Sequence, residues 1–440
     1  MNAPETLELR LGSIAHGGHT VARHEGRVIF VRHGIPGELV NVVLTDAGET
    51  AKFWRADVVE VLEASEHRVP HIWDQADALT HRDPVGGAEF GHISLDYQRV
   101  LKAQVAAEQL TRLGGLKAED YNFPAVQAVP GNADGLGWRT RMSYSVTESG
   151  HLAMSGFRSN ELTEITQMPL AHPGIEAIGL YSVDFSGIDR VEVAVSSRDD
   201  STVLVLLSEV LPGAALRVAK QLPEGVNLAV FSQMGGSAAD GKGELEVITG
   251  NGWLTEQVLG NFFRITGEGF WQVHRSAATL LTERVMDLTA PESGEVIADL
   301  YAGAGLFSLP LAEAVGPQGR VFSIEGAPGT HEDAKRNLAQ TPQVTVTRGR
   351  VERLMRQLAR EAQLDAVVLD PPRTGLDKQS AAELATSGVP RICYVSCDPA
   401  AFARDTARLM ARGYELDHME IHDLYPHTHH MESIGLFVRR

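Results

Sequence analysis

The chain has 440 residues, 43% of them hydrophobic, enough apolar material for about two to three separately cored domains. Its two cysteines, Cys393 and Cys397, exclude a disulfide framework and fit a reducing compartment. A net charge of −18 excludes a uniformly basic nucleic-acid binder, the start MNAPETLELRLG has no basic segment followed by an apolar run, and no stretch approaches the ~18 apolar residues of a membrane span, so a soluble cytoplasmic protein is expected.

Residues 6–63 read as short strands, LELRLGSI, HTVARHEG, RVIFVRHGIPGELVNVVLT and AKFWRADVVEVLE, broken by Gly-Gly, Glu-Gly and Pro-Gly. Alternating apolar and polar positions with such punctuation predict a small β-barrel over residues 1–63, and the segment resembles the TRAM domain, an OB-like RNA-binding barrel. Within residues 10–33, Arg10, Arg23, Arg27 and Arg32 and four histidines face a single acid, Glu25. In so acidic a chain that patch is a natural place for phosphate contacts, which would supply affinity and not chemistry.

After His92 the spacing in LDYQRVLKAQVAAEQLTRLGG predicts a helix stopped by Gly114-Gly115. Strands such as WRTRMSYSVT, TVLVLLSEVL and NLAVFS then alternate with short helices, giving a middle α/β domain over residues 64–260. Arg139, Arg141 and Arg158 lie in its strand-like segments and are further candidates for RNA contact. Over residues 261–440 the strands VIADLY, RVFSIE, VTVTRG, DAVVLD, RICYVS, YELDHMEI and IGLFVRR alternate with helices, which implies an α/β fold with a largely parallel, doubly wound sheet. No internal repeat or low-complexity tract interrupts the chain.

Three segments of this last region carry chemistry. DLYAGAGLF, residues 299–307, turns from a strand into a helix, and Gly303 and Gly305 remove side chains where backbone must approach a ligand. Glu325 ends the next strand 20 residues past Gly305, the spacing at which a carboxylate reaches ribose hydroxyls. Asp299 with Gly303 and Gly305 fits the Asp-x-x-x-Gly-x-Gly form usual for S-adenosylmethionine better than the Gly-x-Gly-x-x-Gly of nicotinamide enzymes. Next, LDPPRTGL places Asp370 and Arg373 on a rigid turn without proline N–H donors. Finally, YVSCDPA puts Cys397 where a strand gives way to Asp-Pro. Glu432, just before the last strand, is a candidate base with a raised pKa. His427, His429 and His430 invite a metal reading, but no cysteine or regular carboxylate spacing supports it, so no metal is expected.

The order FWQVH, DLYAGAG, SIE, LDPPRTGL, YVSCDPA, HTHHME resembles the RNA 5-methyluridine methyltransferases, the uracil-C5 enzymes of tRNA and 23S rRNA. The resemblance implies adenosylmethionine contacts from Gln272, Tyr301, Glu325 and Asp370, Cys397 as nucleophile and Glu432 as base, with RNA as partner, ribosomal RNA ahead of transfer RNA, and no obligate protein partner. Many members hold a four-iron, four-sulfur cluster. Here Val85, Ala88 and Met168 stand at positions of its cysteines, so no cluster is expected, and His71, Trp73 and Phe90 are expected to fill the space. His274 stands where Asn is usual, and Asp398 puts a carboxylate beside a thiol that must ionise. Two other readings compete: an amino-directed nucleic-acid methyltransferase using the Asp-Pro-Pro turn, and a non-catalytic RNA-binding factor of the same fold.

Overall fold

A computed structural model describes residues 6–48, 50–117, 119, 121–131, 133–157, 159–233 and 243–440. Arg158 lies outside the described residues.

The first strands are β1 (Thr6–Arg10), β2 (Ile14–Ala15), β3 (His19–His24), β4 (Arg27–Arg32), β5 (Leu39–Asp46) and β6 (Trp54–Glu63). They form one six-stranded sheet in the order β1-β5-β6-β4-β3-β2. Alternation buries Ala22, Ile29, Val31, Val40, Val42, Ala56 and Val58 in a single core, each Ile or Val contributing about 1.5–3 kcal/mol. The β2–β3 turn needs its two glycines, with φ of +88° at Gly17 and +79° at Gly18. A Cβ on Gly18 would lie 2.8 Å from His429 Cβ, so this turn presses directly on the carboxyl-terminal part of the chain.

Residues 64–94 are largely irregular and are held by packing. Trp73, Val85, Ala88 and Met168 are all buried in one core with Tyr144 and Leu152. His71 bridges this region through Nε2 to the Ala88 carbonyl at 3.1 Å, while its Nδ1 accepts from Trp73 N–H at 3.0 Å. Phe90 does not join that space; it packs with Ile93, Leu101 and Val105, because its backbone follows the turn into the next helix.

That helix is α1 (Leu95–Arg112), followed by β7 (Val126–Ala128). The middle sheet has β8 (Arg141–Val146), β9 (Leu152–Ser155), β10 (Leu162–Glu164), β11 (Ile188–Val195), β12 (Val203–Val210), β13 (Asn227–Gln233) and β14 (Gly243–Thr249), in the order β10-β9-β8-β11-β12-β13-β14. Two short helices, α2 (Pro173–Glu176) and α3 (Ala214–Ala219), accompany it, and α3 makes the crossover of its one parallel pair, β12–β13. A hairpin follows, β15 (Trp253–Val258) with β16 (Asn261–Thr266). The expected boundary at 260/261 falls on the turn of this hairpin, and β7 pairs with the far carboxyl-terminal sheet, so residues 64–260 are shared between two layers.

The last region runs α4 (Ala277–Thr289), β17 (Val296–Leu300), α5 (Ser308–Val315), β18 (Arg320–Glu325), α6 (Pro328–Asn337), β19 (Val344–Arg348), α7 (Val351–Glu361), β20 (Ala366–Leu369), α8 (Lys378–Thr386), β21 (Arg391–Ser396), α9 (Pro399–Met410), β22 (Tyr414–Asp423) and β23 (Glu432–Arg439). Its eight-stranded sheet has the order β19-β18-β17-β20-β21-β23-β22-β7. The strands from β17 to β21 pair in parallel, while β23 runs antiparallel to both neighbours. All four residues of β20 are buried, as a strand covered by helices on both faces requires. Strand order reverses between β17 and β20, which opens a crevice at their carboxyl ends.

Candidate active site

The topology explains why residues far apart in sequence meet. Asp299, Glu325, Asp370 and Cys397 lie in or just after β17, β18, β20 and β21, at the carboxyl edge of the parallel sheet. Because β23 is antiparallel, its first residue, Glu432, begins at that same edge and pairs in register near Ser396 through Ser433.

The candidate cofactor cradle is built from the β17 turn. Glu325 accepts hydrogen bonds from Gly303 N–H at 3.0 Å and Ala327 N–H at 2.6 Å. A Cβ on Gly303 (φ +57°) would meet nothing nearer than Thr330 Cγ2 at 4.0 Å, so the glycine leaves room for a ligand. Gly305 (φ +95°) serves packing instead, since a Cβ there would lie 2.9 Å from Leu338 Cδ1. Tyr301 also has positive φ, +60°, an uncommon conformation for a residue with a Cβ that marks this turn as strained. Asp299 is fully buried; Ser308 donates to its Oδ2 at 2.6 Å, and its Oδ1 has no partner. Burial raises its pKa to about 7. Gln272 Nε2 donates to Asp370 Oδ2 at 3.1 Å, tying the strand-free segment after β16 to the β20 turn. A set of buried carboxyls beside an open glycine turn fits a cationic nucleoside such as adenosylmethionine.

The Asp370 turn is held from below by Asp405 of α9. Asp405 Oδ2 accepts from Leu376 N–H and Tyr394 Oη, each at 2.8 Å, and Gly375 has φ +69° at a point where a Cβ would strike Asp405 Oδ2 at 2.6 Å. Arg373 is left exposed at the mouth. It lines a cavity of about 210 Å³ together with Cys397, His16, Gly18, Lys102 and His430.

Electrostatics set the resting protonation. Burial raises the Asp370 and Glu432 carboxyls, and their mutual repulsion raises Glu432 further. Tyr425 Oη donates to Glu432 Oε2 at 2.9 Å and Arg373 lies near, both of which favour the charged form. The Cys397 thiol is pushed up to about 12 by burial and then by the carboxyls of Glu432, Asp370 and Asp398, with Arg373 opposing them. In the free site the thiol is thus disfavoured as thiolate and Glu432 is pushed toward its neutral form, whereas chemistry requires the thiolate and the carboxylate.

A family description, tRNA (Uracil-5-)-methyltransferase, matches residues 254–440, the portion that carries Gln272, Asp299, Glu325, Asp370, Cys397 and Glu432. An RNA methyltransferase of Streptomyces avermitilis is 35% identical over 98% of this chain and 98% of its own length. One from Bifidobacterium longum is 36% identical over 98% and 96%. The chain belongs to the RNA uracil-5-methyltransferase family. Its fold is that of the Pyrococcus abyssi tRNA (uracil-54, C5)-methyltransferase crystallised with S-adenosyl-L-homocysteine, with a TM-score of 0.71 over 98% of this chain and 100% of the other at 21% identity.

Against this family background, several sequence-predicted residues take other roles. Arg141, with 15% of its side chain exposed, donates to the Gly269 carbonyl at 2.9 Å and pairs with Glu256 at 3.5 Å, so it braces the loop before Gln272 and is not free for phosphate. Arg139 is half-buried, with Nε donating to the Arg141 carbonyl at 3.1 Å. Both line a cavity of about 370 Å³ on the middle sheet. His274 stacks on Trp138 with ring centroids 5.6 Å apart, and burial lowers it to about 4, so it is a neutral packing group. His427 Nε2 bonds the Asp134 carbonyl and its N–H donates to Gln98, while His429 lies 3.8 Å from Glu89; among the described residues no three His, Cys, Asp or Glu side chains are arranged to hold a metal. Among the described residues, too, no helix is long and apolar enough to cross a membrane.

Two groups escaped the sequence reading. Tyr425, assigned no role from sequence, places a hydroxyl on the candidate base. Lys102 of α1, buried on an amphipathic helix, donates to Asp423 at 2.5 Å and to the Tyr425 carbonyl at 3.0 Å, fixing the segment that carries Tyr425. A buried lysine in the middle of a helix is the signal that could have found it, since such a charge demands a partner.

Proposed function

We propose that the protein transfers a methyl group to carbon 5 of a uridine in ribosomal or transfer RNA, with Cys397 as nucleophile and Glu432 as base. The observation that carries this reading is the meeting of one partly exposed thiol with a buried carboxyl, its pKa raised by that burial, at the open edge of the sheet. Adenosylmethionine, held by Gln272, Tyr301, Gly303, Glu325 and Asp370 on the turn that Gly305 packs against Leu338, would supply an electrophilic methyl on a cationic sulfur. Carbon 5 of uracil is a weak nucleophile. The Cys397 thiol gives its proton to solvent, the thiolate adds to carbon 6, and carbon 5 of the resulting enolate takes the methyl as the carbon–sulfur bond breaks and S-adenosylhomocysteine leaves. Glu432 then removes the proton from carbon 5, the 5,6 double bond re-forms, and the thiolate leaves. The target base must leave its stack to enter the pocket, and Arg373, exposed and lining the cavity with Cys397, supports a contact with the base or its phosphate. The amino-terminal sheet, read as a TRAM-like domain, adds RNA affinity.

RNA carrying 5-fluorouridine at the target tests the reading, because fluorine cannot leave as a proton does. A stable covalent adduct on the Cys397 peptide is expected. Methylation without any adduct would replace the covalent route, and loss of 5-methyluridine from one RNA class in a deletion strain identifies the substrate.

A further inference from the structure

The amino-terminal sheet does more than flank the active site. Its β2–β3 turn places His16 with Nε2 3.0 Å from Asp398 Oδ2, a contact between residues 382 apart in sequence. Asp398 follows the nucleophile directly and caps α9, its Oδ1 accepting from Ala401 N–H at 2.7 Å. Both carboxylate oxygens are thus engaged, one by the helix and one by the amino-terminal sheet. His16, Gly17 and Gly18 line the same cavity as Cys397, and Gly18 is packed so closely on His429 that the turn cannot withdraw without opening that wall.

We infer that the amino-terminal sheet is a working part of the active site, with His16 a positioning residue whose imidazolium neutralises Asp398 and so relieves the negative charge that opposes ionisation of the Cys397 thiol. The inference rests on Cys397 as the nucleophile. The groups facing this pair come from several elements. Glu108 and Arg112 of α1 act on His16 with opposite sign; Glu432 of β23, Asp370 and Arg373 of the β20 turn, and Asp398 itself act on Cys397. The hydrogen bond and charge of Asp398 raise His16 above its ordinary value, while His16 in turn lowers the carboxyl against the cost of its burial. Below the His16 pKa the pair is complete. Above it the imidazole is neutral and Asp398 stands uncompensated beside the thiol, so the benefit fades as pH rises.

The test is the pH dependence of iodoacetamide alkylation at Cys397 in the full-length protein, followed on its own peptide to separate it from the buried Cys393. In that reaction sulfur displaces iodide after the thiol proton passes to solvent, so the rate reports the thiolate fraction. His16→Ala should slow alkylation near neutral pH about three- to tenfold, as expected for a thiol shifted up by half to one unit. Asp398→Asn keeps a good helix cap and removes the charge, so it should speed alkylation, and adding His16→Ala to it should then change nothing. Methyl transfer should follow the same pattern in kcat with KM for adenosylmethionine unchanged. Identical titrations for wild type and His16→Ala, or an equal shift in the Asn background, would overturn the charge role and leave His16 a packing contact. Turnover by Cys397→Ala would instead sink the nucleophile on which the inference rests, whatever the alkylation shows.

Discussion

The carboxyl-terminal sheet and the amino-terminal half solve different problems with different kinds of residue. At the edge of the parallel sheet, the proposed chemistry rests on acids and a thiol whose charges burial disfavours, and every one lies at a strand end. In the first 94 residues the functional side chain is a half-exposed histidine on a glycine turn, and stability comes from apolar packing. Chemistry thus depends on local motifs, whereas support for it depends on contacts that span the chain.

The sharpest way to break that contrast is to remove the thiol. Cys397→Ala should abolish turnover while adenosylmethionine binding by calorimetry stays nearly intact, because the thiol meets the base and lies outside the glycine cradle. Glu432→Gln should keep adduct formation and accumulate the protein–RNA species on a denaturing gel. If it released product normally, proton removal would belong to another group.

Next in size is a stability effect in the amino-terminal half. Met168, fully buried with Trp73, Val85 and Ala88, fills the space in which the resemblance placed cluster cysteines. Met168→Ala should cost about 2–5 kcal/mol in denaturant unfolding through the cavity it leaves. The purified protein, prepared without oxygen, should be colourless and carry no stoichiometric iron or sulfide. A visible cluster band, or a neutral Met168→Ala, would mean this region is not held by packing.

The legibility of the molecule follows the same division. Asp299, Glu325, Asp370 and Cys397 could be read from sequence because each pairs a buried strand with a turn signal, and the strand order then forces them to one edge. Helix α1 was legible from its spacing and its double-glycine stop, and it begins at Leu95. The role of Arg141 was not, since strand alternation says which face a residue takes but not that Glu256 and Gly269 wait on that face. Nor could any local pattern place β7 beside β22, or His16 beside Asp398, because both depend on how distant layers stack.

A smaller effect is expected at Tyr425. Its hydroxyl donates to Glu432 and favours the carboxylate, so Tyr425→Phe should raise the Glu432 pKa still further. Since the base works only when ionised, activity climbs with pH through that titration. The climb in the variant should move to higher pH, with kcat near neutrality falling about tenfold, the size of one hydrogen bond to a charged group. An unshifted profile would assign the rising limb to Cys397 alone.

The smallest expected effect lies on the surface of the amino-terminal sheet, where the contrast between chemistry and support can be tested residue by residue. Arg32 is held by Asp57 and lies 4.5 Å over the Phe157 ring, and Arg27 lies 4.7 Å over Trp54 while donating to the Ala51 carbonyl, so both have structural work to do. Arg23, in contrast, is exposed on β3. Arg23→Ala should weaken RNA binding only modestly and lower the logarithmic salt slope by roughly 0.7–0.9, the signature of one lost phosphate contact. Replacing all three together should exceed that loss only if Arg27 and Arg32 also reach RNA. A change in kcat at saturating RNA would show that the outer face of the amino-terminal sheet, and not just its His16 turn, bears on the chemistry, whereas an unchanged salt slope would move the phosphate track to the cavity lined by Arg139 and Arg190 on the middle sheet.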